Sequence, residues 1–357
     1  MTRPVDRCPL PFLRSPAAPA PLALVLALAM TAALAACDSA TGAGPADVLG
    51  GDVPEDAPPA EEIRGGGGTF PESATESQIL ALEQLNRIRV ASGLAPVNQV
   101  ASLNQCSQAH AEFIVSNCSN YGTAGLSPHN EDASWPGFTG VQFWDRMEAA
   151  GYTVSSASEV IAFMNKPTQA VDGWIRTLYH RLPLLDPRTK EIGYGGATIP
   201  SDAPYCQYRQ FWNADVIDIG MDSTADDVVV LYPPDGSKYI PTSFDGMESP
   251  MPTPPPAGWP SGTIITVQFG KDLPFTVTGH QLLEFGQTAL PHLIVASKAD
   301  ETAYVGADPH LNDNRVLSLY ALSRLKAGTD YTVIVDMVRN GGPLHLEWTF
   351  KTDYVQD

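Results

Sequence analysis

Basic residues are scarce in this chain. Its 357 residues carry 21 Lys and Arg against 40 Asp and Glu, a formal charge of −19 at pH 7. An acidic surface repels polyanions, and the counterion release that drives nucleic-acid binding has the wrong sign, which argues against nucleic acid as a partner. Long apolar runs are lacking too. The run from Leu22 to Leu34 is too short and too rich in alanine for a stable span of a hydrocarbon core about 30 Å thick. Nor is there a P-loop, a GxGxxG turn, a CxxC pair or a Ser-His-Asp order, so the enzyme classes built on those devices have no support.

What is present begins with an address. Arg3, Arg7 and Arg14 precede the apolar run, which ends in Leu34-Ala35-Ala36-Cys37. Small residues before a cysteine, in that order, resemble the lipobox of bacterial lipoproteins. The resemblance implies that residues 1–36 are a signal peptide and that Cys37 is acylated and becomes the first residue of the mature chain. More than one acyl chain, at about 0.8 kcal/mol per buried methylene, anchors a protein lastingly, so the expected location is extracytoplasmic and membrane-tethered. Cys8 is then lost with the signal. The mature chain is more acidic still, and its attachment to the membrane rests on the lipid.

Residues 37–70 are Gly, Ala, Pro, Asp and Glu with almost no apolar periodicity, and cannot bury enough surface to offset chain entropy. This composition predicts a tether with a reach on the order of 30 Å.

Order is expected to start at Ser73-Ala74-Thr75-Glu76, a capping-box pattern, followed by Ile79, Leu82, Leu85 and Ile88 at helical spacing and by Gly93 as the stop. A second helix is predicted over 101–116, with Leu103, Cys106, His110 and Phe113 on one stripe, and there His110 reads as a hydrogen-bonded core residue. A third is expected over 141–150, closed by Gly151, and a fourth from Pro167, which suits a first helical position. Strand-like runs at 191–199 and 205–219 follow. Helices with strands between and after them predict a single α+β domain over 71–230.

Seven short motifs in order now carry a resemblance: LNRIRVASGL (85–94), AHAEFI (109–114), SPHNED (127–132), DRMEAAGY (145–152), SEVIAF (158–163), WIRTLYHR (174–181) and KEIGYGGA (190–197). Together they resemble bacterial members of the CAP superfamily, the cysteine-rich secretory, antigen 5 and pathogenesis-related proteins with SCP-like extracellular domains. The resemblance implies a three-layer α-β-α sandwich with a surface cleft faced by histidines and glutamates. Residue by residue it assigns His129 as the first cleft histidine, Glu159 as the glutamate of the G-E-N segment and His180 as the second histidine. Ser158 and Val160 replace the glycine and asparagine that flank this glutamate, and Thr177 stands where many members carry a second glutamate, so the cleft set is reduced to three.

Two imidazoles and one carboxylate are a common ligand set for zinc, with an open position for a polarised water. Zinc at His129 and His180, with Glu159 nearby, is one expectation. The other is a structural or ligand-binding cleft in which Glu159 ties down backbone N–H groups.

Of the remaining cysteines, Cys106 and position 116 would lie about 15 Å apart along one helix. Two more residues cannot bring Cys118 back within the bonding range of about 4.4–6.8 Å between Cα atoms. The expected disulfide is Cys118–Cys206, with Cys106 a buried apolar residue.

Residues 231–260 are dense in proline and read as a semi-rigid polyproline spacer. Residues 261–357 alternate in short strands, with Asn340-Gly341-Gly342 between the last two, and predict an all-β sandwich. The closing run resembles bacterial Ig-like domains. His280, His292, His310 and His345 read as surface or edge residues.

The expected whole is a lipid-anchored extracytoplasmic CAP-domain binding protein whose partners are the membrane, through its lipid, and an unnamed small-molecule, lipid or cell-envelope ligand. A metal-dependent hydrolase or protease using the same cleft and a purely structural envelope protein are the alternatives.

Overall fold

Thr75, not Ser73, caps the first helix. Its hydroxyl accepts from the Gln78 N–H while the Gln78 side chain accepts from the Thr75 N–H, so the capping box lies two residues later than the sequence pattern suggests. The computed structural model describes residues 66–153, 155–200, 213–300, 305–311 and 313–355. The signal, Cys37 and the tether up to residue 65 lie outside the described residues, as does Cys206.

Helix α1 (Glu76–Ala91) is followed by β1 (Asn98–Gln99), α2 (Ala101–Ser116), α3 (Cys118–Ala124), α4 (Phe143–Ala149), β2 (Ser156–Ala162), α5 (Pro167–Arg176), α6 (Arg181–Leu184), β3 (Thr189–Thr198) and β4 (Asn213–Met221). The sheet order is β1-β3-β4-β2, with β2 antiparallel to β4. Alternation along the strands divides the core in two. Val160, Ile192, Tyr194, Ile217 and Ile219 pack with α1 and α5, whereas Ile161, Ala214 and Val216 pack with Phe113 and Ile114 of α2. Glu159 and Asp218, directly paired across β2 and β4, share the face of Ile161 and Val216 and so look toward α2.

Two glycines of β3 let α2 approach. A Cβ on Gly193 would lie 2.0 Å from the Leu103 carbonyl carbon, and one on Gly195 would lie 2.2 Å from that of Ser107. The helix rests on bare strand backbone there.

The rest of the described chain is β: β5 (Val229–Tyr232), β6 (Ser237–Ile240), β7 (Ile265–Phe269), β8 (Phe275–Glu284), β9 (Thr288–Ala289), β10 (His292–Ala296), β11 (Gly306–Ala307), β12 (Val316–Ala321), β13 (Asp330–Arg339) and β14 (Gly342–Thr352). They form two five-stranded sheets, β11-β10-β12-β7-β5 and β6-β14-β13-β8-β9. Both sheets contribute to one core, which holds Val267, Phe269, Leu317, Val333, Val335, Trp348 and Phe350. Asn340 and Gly341, with φ of 49° and 79°, make the tight turn that the sequence announces between β13 and β14.

The stretch 231–260 is not a bare spacer. It completes β5, which pairs with β7, and supplies β6, which pairs with β14. Its prolines fall at strand ends and between strands, as Pro233, Pro234 and Pro241 do, so the strand amides remain available to pair. All described residues lie in one compact unit, Val53–Asp357. His280 of β8 and His292 of β10 belong to different sheets and are joined Nδ1 to Nε2 at 2.7 Å, so they bridge the sheets where the sequence suggested isolated surface positions.

Cys106 is a free, buried thiol, pushed well above the usual thiol range by burial and by Asp218. Cys118 is buried beside Ile199.

Candidate functional site

The site is built where strand β2, helix α2, helix α4 and the loop between α3 and α4 meet. Strand alternation aims Glu159 at α2, and helix α2 answers with Ser107 and His110, which lie three residues apart and so on one face. The loop is pinned from below. Trp135 packs against Phe113 and Tyr121, the Asn117 amide donates to the Pro136 carbonyl at 3.0 Å, and the Tyr121 hydroxyl donates to the Asn130 carbonyl at 2.8 Å. That anchoring places His129 and Glu131 over the strand.

His129 donates from Nδ1 to Glu159 Oε1 at 2.8 Å. The other carboxylate oxygen, Oε2, accepts from Arg146 Nη2 at 2.5 Å. Arg146 also donates to the His129 carbonyl at 3.1 Å, so the same guanidinium fixes both the acid and the backbone that carries the histidine. His110 lies 3.8 Å from Glu159 Oε2 through Nε2 and bonds Glu131 Oε1 through Nδ1 at 2.9 Å. Its Nε2 also faces the Pro128 carbonyl at 2.9 Å. Both ring nitrogens of His110 thus face oxygen acceptors in the buried interior. Glu131 accepts in addition from Thr139 N at 2.6 Å and Gly140 N at 3.3 Å.

Arg146 and His110 are thus packed against Glu131 and Glu159 with no side-chain exposure for any of the four. Burial alone would raise the Glu159 carboxyl, but His110, the His129 hydrogen bond and Arg146 hold it down at about 2. Glu131 is lowered too, its hydrogen bonds to His110 and Thr139 overcoming burial. Asp218 behaves oppositely. Burial, reinforced by the Glu159 charge, pushes it up to about 7, although Ser107 donates to its Oδ2 at 2.8 Å. Its Oδ1 is buried without a partner.

His129 is the outlet of the network. Its side chain is 37% exposed. With Nδ1–H committed inward, a neutral ring presents the Nε2 lone pair outward.

His180 does not join this pair. Its Nδ1 meets Glu248 Oε1 at 2.8 Å, and Glu248 comes from the stretch between β6 and β7. The same carboxylate accepts from the backbone N–H groups of Leu178 (2.8 Å), Tyr179 (2.6 Å) and His180 (3.0 Å). Flanking residues are also engaged by the β region. Tyr179 donates to Asp308 and packs edge-on against His310, while Leu178 is buried with Phe244, Ile264, Val295 and Tyr320. Arg181, fully buried and lowered to about 10 by that burial, donates to Thr266 at 3.2 Å and lies 3.8 Å above the Tyr232 ring.

The expected zinc set is corrected accordingly. Among the described residues no group of three His, Cys, Asp or Glu side chains is arranged to hold a metal ion. Glu159 has both oxygens occupied, and His180 is turned to a different carboxylate. Glu131 and Arg146 sit inside two of the quoted motifs, but only the fold reveals their roles. Glu248 lies in a stretch with no motif at all.

Among the described residues, no helix is long and apolar enough to cross a membrane. Residues 82–208 match the family model of CAP, the cysteine-rich secretory protein family. No curated protein matches the chain. Among solved structures the chain is similar to an extracellular protein containing an SCP domain from Bacillus anthracis str. Ames, at 16% identity and a TM-score of 0.28, over 40% of each chain. It is also similar to an outer surface protein from Borrelia burgdorferi, at 15% identity and a TM-score of 0.30, over 41% of this chain and 91% of that one. The match thus spans less than half of the Bacillus protein's length. The segment that carries His129, Glu159 and His180 thus lies inside the part of the chain that matches the cysteine-rich secretory protein family model, and it is followed by a β-rich region.

Proposed function

We propose that this chain is an extracytoplasmic binding protein, anchored through acylated Cys37, in which a CAP α-β-α sandwich presents His129 to a ligand and an Ig-like β-sandwich is fastened to the CAP domain's second-histidine loop. The observation that carries the binding reading is the saturation of Glu159. Arg146 and His129 occupy both of its oxygens, and its carboxyl is held at about 2, so it is a permanent anion that orients His129 and not a group that trades protons near neutral pH. His129 Nε2 is then the polar contact offered to a ligand from the cell envelope or its surroundings.

The test has two arms. Cell fractionation of wild type and Cys37→Ser is expected to place the first in the membrane pellet and the second in the soluble fraction; a variant that stays in the pellet overturns the anchor. Purified full chain is then assayed with casein and with 4-nitrophenyl acetate, with and without added zinc. Turnover above blank that disappears in His129→Ala would replace the binding reading with the hydrolase one.

A further inference from the structure

On the sheet face opposite Glu159, a cleft of about 430 Å³ opens between α1, α5 and the β5–β6 turn. Three cations line it: Arg87 of α1, Arg176 at the end of α5 and Lys238 of β6. In a chain with 21 basic and 40 acidic residues, three basic side chains at one opening run against the composition. Among the described residues, none of the three forms an ion pair with a carboxylate, and Arg87 Nε is buried with no hydrogen-bond partner, a donor that water does not reach. The one carboxylate in the lining, Asp172, is bound by the Gln84 amide at 2.5 Å; burial disfavours its charge and wins over Arg176 and Arg87, which attract it from beyond ion-pair distance. The rest of the lining is apolar or aromatic and includes the buried Ile175 and Tyr232. Tyr239 on the rim is held at a φ of 61°, a left-handed conformation that costs a non-glycine residue energy and is found at ligand sites.

We propose that this cleft is a binding site for an oxyanion carried on a flat, apolar body. Guanidinium forks recognise carboxylate and phosphate groups through paired hydrogen bonds, and Arg87 and Arg176 offer two forks with Lys238 as a point charge beside them. The cleft is too large for an inorganic anion alone and falls in the range of about 300–1,000 Å³ typical of small-molecule sites. Nearly half of its lining comes from β5, β6 and the residues beside them, so the site exists only where the β region completes the family domain.

Calorimetric titration of the full chain with 1-naphthyl phosphate, 1-naphthoate and uncharged 1-naphthol tests it. At least one anionic probe is expected to bind once per chain, with 1-naphthol about tenfold or more weaker; the stronger anion identifies phosphate or carboxylate as the preferred group. Arg87→Gln and Arg176→Ala should each lose about tenfold or more in affinity, as expected for a charged hydrogen bond, while His129→Ala binds like wild type. Arg176 and Lys238 are exposed, so Arg176→Ala and Lys238→Ala decide the matter even if Arg87→Gln fails to fold. Absence of binding by both anions to folded wild type overturns the proposal. So does binding that is the same for 1-naphthol, or that survives in Arg176→Ala and Lys238→Ala together.

Discussion

Glu248 Oε1 lies 2.8 Å from His180 Nδ1 across 68 residues of chain, and its carboxylate also gathers the three N–H groups of Leu178, Tyr179 and His180. The histidine that the family resemblance assigns to the cleft is thus also a point where the β region is fastened.

Removing that carboxylate strands three part-buried donors, and an unmet buried donor costs about 1–3 kcal/mol. Glu248→Ala should therefore lower stability by at least about 2 kcal/mol, with Glu248→Gln in between because it keeps one acceptor oxygen. Calorimetry of the wild type should show a single transition for the described unit, since Leu178 and Arg181 are buried against strands of the β region. Two separated wild-type transitions would mean that the regions fold independently, as the proline-rich sequence alone suggests.

Arg146 is the hub of the buried network, and its loss leaves Glu159 Oε2 charged without its hydrogen-bond donor. Arg146→Ala should cost about 3–5 kcal/mol, the range for breaking a buried pair from one side. Arg146→Lys should recover only part of that, because one ammonium cannot reach Glu159 and the His129 carbonyl as the fork does. Urea denaturation midpoints of the three proteins provide the comparison.

The two buried aspartates give the protein a stability that rises on mild acidification. Asp215 and Asp218 are both pushed up to about 7 by burial, from an ordinary value of 3.8. Between those pH values the unfolded carboxyls ionise while the folded ones hold their protons, so raising the pH favours the unfolded state. The melting temperature should climb from pH 8 to about pH 5, and Asp218→Asn should flatten the rise. Below about pH 4 the aspartate contribution is complete and levels off, and stability falls instead because the contribution of Glu159 is lost between its ordinary value of 4.5 and its folded value of about 2. A melting temperature that falls steadily from pH 8 to pH 5 would contradict these assignments.

We expect Cys118 and Cys206 to be joined. Cys118 is buried and engaged and Cys106 is free within its helix, while the proposed lipoprotein signal would remove Cys8 and commit Cys37 to acylation. Peptide mapping without reductant should return one linked pair containing Cys118 and Cys206; a free Cys206 thiol would refute it.

Much of the first region was legible because local chemistry punctuates it. Helix α2 runs over the predicted 101–116, Pro167 opens α5, and Gly151 closes the α4 turn at a φ of 79°. The alternation of Tyr331, Val333, Val335 and Met337 is the buried face of β13. Strand β2 was not legible as a strand, since Ser156-Ala157-Ser158-Glu159 has no apolar period, and Glu159 was found by motif alone. Prolines masked β5 and β6 because their density, not their placement between strands, dominates the composition. Arg146 reaches Glu159 from a helix 13 residues earlier, and Glu248 reaches His180 from 68 residues later. Neither contact has a local periodicity to betray it.

The bare glycines of β3 have a mechanical consequence for the buried network above them. With α2 seated on the backbone at Gly193 and Gly195, the helix is keyed to the strand like a tooth in a rack, and sliding by even part of a turn would drive side chains into the peptide groups. Shear between packed layers, one of the common ways proteins open a site, is thereby barred at the floor of the network.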